Sequence, residues 1–170
     1  LQPMKKATLF AFACLLGLTA ALAQNPPKSP RVEASSKNIK VIYGQPSKRE
    51  RVIFGPSGLE PYGKVWRTGA NQATEITFAK DGTFGGKPVK AGTYTLFTIP
   101  DEKEWAVILN SQLGQFGAFE YDKHKGKNVL EVKAPVKKTA LVVEKFTITP
   151  TEKELKMEWD QTSVSVPVSF

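Results

Sequence analysis

Thr93-Tyr-Thr-Leu-Phe-Thr-Ile99, closed by Pro100 and followed by Trp105-Ala-Val-Ile-Leu109, decides the fold class of this chain. The first run is β-branched and aromatic, a composition that suits a pleated, half-buried surface, and Pro100 ends it because proline cannot donate to a strand ladder. The second run is continuously apolar but too short for a buried helix. It is expected as a central strand, buried on both faces.

Working outward, the same punctuation recurs. Thr74 to Lys80 alternates, with Ile76 and Phe78 on one face and Glu75 and Thr77 on the other. Asp81-Gly82 and Gly85-Gly86 are tight-turn signals. Ile39 to Tyr43 and Arg51 to Phe54 read as two early strands around the polar turn Gln45-Pro-Ser-Lys-Arg49. Asn128 to Lys133, Leu141 to Thr149, Leu155 to Trp159 and Val164 to Phe170 complete the set. Pro167 places the last of these at an edge. Ser111 to Glu120 is the one window with room for a short helical turn. About eight to ten short, mainly antiparallel strands with Gly and Pro between them predict an all-β, single-domain β-sandwich, jelly-roll-like, over residues 38–170.

The N-terminus has a different character. Met4-Lys5-Lys6 is a cationic start, Ala7 to Leu22 is apolar and uncharged, and Ala21-Leu22-Ala23 is the small-x-small pattern of a signal-peptidase site. Residues 1–23 are therefore expected to be a cleavable signal peptide, cut before Gln24, with Leu1 to Pro3 an artefact ahead of the natural start. The apolar run falls short of the ~20 residues of a membrane span, so no span is expected after cleavage. Cys14, the single cysteine, lies inside this run behind Ala11-Phe12-Ala13, a poor lipoprotein site. The mature chain then offers neither a disulfide nor a thiol nucleophile. Residues 24–37, rich in Pro, Ser and Lys, read as a flexible linker. The expected location is the periplasm or the medium.

Charge and composition exclude more than they assign. The chain carries +8, of which about +6 remains once the two leader lysines are removed. The basic residues are mostly dispersed lysines. The densest group, Lys123, Lys125 and Lys127 continued by Lys133, Lys137 and Lys138, fits a solvated loop and a guarded strand edge, so nucleic-acid binding is disfavoured. The lone histidine, His124, has no partner at ligand spacing, and neither a metal nor another cofactor is expected. Phe54-Gly-Pro-Ser-Gly58 resembles a nucleophile elbow, but Leu59 stands where the closing glycine belongs, so the run reads as a turn. No catalytic residue is assigned.

Tyr62 to Glu75 (YGKVWRTGANQATE) is the exception. Trp66, Arg67, Asn71 and Glu75 stand among small residues, which let the backbone turn sharply, and they supply a stacking face, a forked cation, an amide and an acceptor. Such a set suits ligand binding. It suits structure better still, with Trp66 in the core, Arg67 and Glu75 as an ion pair, and Asn71 capping the turn, because ion pairs and caps are commoner than sites.

These residues also carry a likeness. Val41-Ile-Tyr-Gly-Gln-Pro-Ser47, Arg51-Val-Ile-Phe-Gly55, Tyr62-Gly-Lys-Val-Trp-Arg-Thr-Gly-Ala-Asn71, Ala73-Thr-Glu-Ile76, Ala91 to Pro100, Glu104-Trp105, Leu109-Asn110, Glu158-Trp-Asp160 and Val164-Ser-Val-Pro-Val168 resemble the DUF2911 family of exported bacterial proteins. The resemblance implies an envelope or secreted protein without established catalytic residues. It marks Tyr43, Arg51, Trp66, Arg67, Asn71 and Glu75 as family-typical and as candidate ligand-binding positions. Three functions compete: a non-catalytic sandwich binding a small molecule, glycan or envelope protein; a hydrolase using Glu75 with Asp160 or Asp122, for which the two carboxylates must face each other; and a structural or adhesive module without a pocket.

Overall fold

A computed structural model describes residues 28–170 of the chain. The expected signal peptide and the first residues of the expected linker lie outside the described residues. The described residues form eleven strands: β1 Arg31–Ser35, β2 Ile39–Gly44, β3 Phe54–Gly55, β4 Glu60–Pro61, β5 Thr74–Phe78, β6 Gly82–Phe84, β7 Lys87–Val89, β8 Gly92–Ile99, β9 Glu104–Asn110, β10 Asn128–Pro150 and β11 Glu154–Ser169. Among the described residues one helical turn, α1, spans Tyr121–His124 and runs into a 3-10 turn at Lys125–Lys127.

Nine strands form one antiparallel sheet in the order β1-β2-β5-β8-β9-β10-β11-β6-β7. Strand β10 turns this sheet into two layers. Its first part, through Pro135, pairs with β9, whereas Val136 onward pairs with β11. A strand that switches partners at a bend makes a sandwich corner. The bend continues through register shifts between Lys138 and Val143 and between Val143 and Thr147, and Asp160, opposite Val143, takes a left-handed φ of 54°. The ends meet again where Lys48 N–H donates to Glu144 and Phe146 N–H donates to Pro46, at 2.7 and 2.9 Å.

The core lies between the layers. Ile39, Val41, Ile76, Phe78, Leu96, Trp105, Val107 and Leu109 from one side meet Phe146, Ile148, Leu155, Met157, Trp159, Val164 and Val166 from the other. As the sequence predicts, β9 is buried on both faces. Its Ile108 joins Phe97 and Ala73 in a smaller cluster on the outer face, covered by Ala118 and Tyr121. The Gly85-Gly86 turn between β6 and β7 has φ of 58° and 78°, the paired left-handed geometry of a two-residue hairpin.

Five details depart from the sequence reading. Arg31–Ser35, placed in the flexible linker, is strand β1, because its backbone pairs with β2 although its side chains are mostly exposed. Arg51 to Ile53 is not strand; the backbone turns at Arg49 and Glu50, both with positive φ, and only Phe54–Gly55 pairs, in parallel with β4. The helical turn falls at Tyr121–His124, just after the expected window. The segments read as four strands between Asn128 and Phe170 are two long bent ones, since bulges rather than Gly or Pro turns bend them. Pro167 is in an inner strand, but no ladder pair to β10 is found beyond Val164 among the described residues, so its missing N–H breaks none there.

Candidate functional site

The turn from Trp66 to Asn71 is built before it is charged. Trp66 exchanges both backbone hydrogen bonds with Thr98, at 2.7 and 3.0 Å, and its indole N–H donates to the Gly69 carbonyl at 3.0 Å. Thr68 and Asn71 adopt φ of 55° and 62°. A left-handed threonine is costly, so the surroundings must over-determine it. They do: Thr68 Oγ1 lies 3.0 Å from Thr98 Oγ1, and the Thr68 carbonyl accepts from Thr74 Oγ1 at 2.6 Å. The turn then presses onto the end of β2, where a Cβ on Gly44 would stand 2.1 Å from the Ala70 oxygen. Only glycine permits that approach.

So held, the turn forms one wall of a cleft of about 260 Å³, to which Arg67, Gly69, Ala70 and Asn71 contribute. Pro46, Arg49 and Arg51 come from the loop after β2, Leu59 from the approach to β4 and Glu60 from its first position, Lys28 and Ser29 from the N-terminal side, and Trp159 from β11. Four cations thus face one carboxylate.

The cations are not equivalent. Arg51 is tied to its own loop, its Nε donating to Lys48 O at 3.0 Å and Nη2 to Ser47 O at 2.6 Å. Arg49 Nη2 donates to Lys28 O at 3.1 Å. Arg67 has neither a hydrogen bond nor an ion pair to a described side chain, and its Nε is buried without a partner. A buried donor left unpaired costs about 1–3 kcal/mol, so it calls for an acceptor. Glu60 is raised from 4.5 to about 7, because burial penalises its charged form more than Arg67 and Arg51 favour it.

The structure separates the sequence candidates. Arg51, Arg67 and Asn71 share the cleft. Tyr43 and Trp66 are core residues, 2% and 3% exposed. The Tyr43 hydroxyl accepts the Ile148 N–H at 3.1 Å, and burial raises its pKa. Glu75 points to the opposite face of β5 and accepts the Gly114 N–H at 3.2 Å, so the Arg67–Glu75 ion pair is not formed. Nor do the acids of the hydrolase reading share the cleft. Asp160 pairs with Lys48 at 3.3 Å and Asp122 with Lys125 at 3.4 Å. Asp160 lines a second cavity with Glu102, and Glu75 is absent from its wall. Among the described residues no three His, Cys, Asp or Glu side chains gather to hold a metal, and no helix is long and apolar enough to cross a membrane.

Sequence reasoning missed Glu60, Arg49 and Trp159. The signal for Glu60 was a lone acid between Gly58 and Pro61; for Arg49 it was the run Lys48-Arg-Glu-Arg51. Trp159 was legible only as core.

The family model for a protein of unknown function, DUF2911, matches residues 25–168. No curated protein and no solved structure matches the chain.

Proposed function

The chain belongs to the DUF2911 family, whose function is unknown, and from that premise we propose that it is an exported, non-catalytic binding module that takes a small molecule in the Arg67 cleft. Arg67 carries this reading: a guanidinium on a rigid turn, with a buried Nε lacking a protein acceptor, lining a concavity with Arg51 and Asn71. A purely structural arginine would be paired. The Nη end of the planar fork would pair an acidic group on a ligand with fixed orientation.

The test is a thermal-shift screen of the protein against envelope metabolites and glycans, repeated on Arg67→Ala. Because Arg67 makes no hydrogen bond or ion pair to a described side chain, the variant is expected to stay within about 1 kcal/mol of wild type in stability while losing the ligand-induced shift. A large drop in the melting temperature of the ligand-free variant would return Arg67 to a structural role.

Export is supported by the cationic start, the uncharged run and Ala21-Leu22-Ala23. Intact-mass measurement of protein from the envelope fraction is expected to give a chain beginning at Gln24; a mass retaining residues before it would contradict the cleavage.

A further inference from the structure

Beside the cleft, the chain exposes two aromatic rings. Phe116 is 61% exposed and Phe119 80%, and the rings are nearly parallel, with centroids 6.5 Å apart and planes at 14°. Exposed aromatics on a loose loop would carry little meaning, but this loop is anchored. Ala73 N–H donates to Gln115 O and Gly117 N–H to Asn71 O, each at 2.9 Å, and Phe116 bridges Gln72. Gly117 itself has a φ of 65°. A Cβ placed on it would lie 2.6 Å from the Phe119 ring and 3.2 Å from Arg67 Nη1. The ring and the unpaired guanidinium therefore flank the same glycine, and the aromatic pair adjoins the turn that carries Arg67 and Asn71.

Two features that are each costly alone become complementary together. An anchored aromatic pair held in water forgoes burial, and a guanidinium with no acceptor among the described residues forgoes its charge-assisted hydrogen bonds. A molecule with a flat, weakly polar face and an acid beside it answers both. We propose that the site extends from Arg67 onto Phe116 and Phe119, and that its ligand is a ring bearing an acidic group, the acid on the guanidinium and the ring face on the phenylalanines. This rests on the reading that the Arg67 cleft binds a ligand. The excess of cations over Glu60 in the cleft sets the sign of the charge. A six-membered sugar acid and an aromatic acid both have this chemistry.

Calorimetric titration of the mature protein with glucuronate and benzoate, each beside its neutral counterpart (glucose, benzyl alcohol) and beside acetate, tests it. At least one ring acid is expected to bind about tenfold tighter than both its neutral counterpart and acetate. The double variant Phe116→Ala/Phe119→Ala should abolish the advantage over acetate without changing the melting temperature. Arg67→Ala should abolish the advantage over the neutral ring. Binding of glucuronate alone assigns the sugar acid, and binding of benzoate alone the aromatic acid. Undiminished binding by the double variant would overturn the proposal, as would a screen in which neutral or cationic compounds bind the cleft and ring acids do not. In both cases the cleft reading survives. If no compound of any charge shifts the wild-type protein, both fall.

Discussion

Trp66→Ala is expected to destabilise the protein by about 3–5 kcal/mol, the range for truncating a large aromatic in a close-packed core. Trp66 is buried at the centre of an aromatic group. Its ring stacks on Trp159 at 5.9 Å and 17°, tilts against Phe146 at 4.8 Å, and meets Phe54 and Trp105 edge-on at 5.9 and 6.0 Å. These partners belong to both layers, so the cavity left by alanine would open the contact between them. The loss is a large share of the roughly 5–15 kcal/mol that holds a domain together. Trp66→Phe gives a graded companion. It keeps much of the packing but leaves the buried Gly69 carbonyl without the indole donor, a cost of about 1–3 kcal/mol. Denaturant unfolding measures both. Hydrogen exchange at Ala70 and Thr74, whose N–H groups bond Gly44 and Arg67, is expected to accelerate in the phenylalanine variant before global stability is lost. An alanine variant within about 1 kcal/mol of wild type would remove Trp66 from the core.

The same residue shows why the fold was more legible than the site. Strands β5, β8 and β9 can be read because burial on one or both faces writes itself into neighbouring residues, as alternation around Ile76 or as the unbroken run from Trp105. Strand β1 leaves no such trace, since its value lies in backbone pairing and its side chains stay largely in water. The bends of β10 and β11 are equally silent, because a bulge at Val143 and Asp160 needs no glycine. In the site, the run from Trp66 to Asn71 stood out because small residues surround large polar ones. Yet a tryptophan beside an arginine reads alike as stacking platform and as core, and only packing decides. The parity of β5, with Glu75 opposite Ile76, already placed that acid away from the inter-layer core. Arg49 reaches the cleft from the loop after β2, Glu60 from the first position of β4, and the corner of β10 fixes where that loop lies. No local pattern encodes that meeting.

Glu60 carries the second large effect, and its sign follows from where its proton sits. The folded-state pKa of about 7 lies above the ordinary 4.5. Between those values the native protein keeps a proton that the unfolded chain has released, so stability falls as pH rises through this window and this group adds no further slope above it. At 1.36 kcal/mol per unit, and discounting for a carboxylate that is only partly buried, the loss by pH 8 is about 1–3 kcal/mol. Glu60→Gln removes the ionisation while preserving shape. It is expected to match wild type near pH 4.5 and to be more stable at pH 8 by that amount, measured by denaturant unfolding at both pH values. The neighbouring cations add a second readout. Arg67 and Arg51 both favour ionised Glu60, so Arg67→Ala should extend the falling limb above pH 7 in the wild-type background and have no such effect when combined with Glu60→Gln. A Glu60→Gln variant whose stability runs parallel to wild type from pH 4.5 to 8 would mean that Glu60 titrates like an exposed acid. The cleft would then be an open groove, and the burial that leaves Arg67 in need of an acceptor would be lost with it.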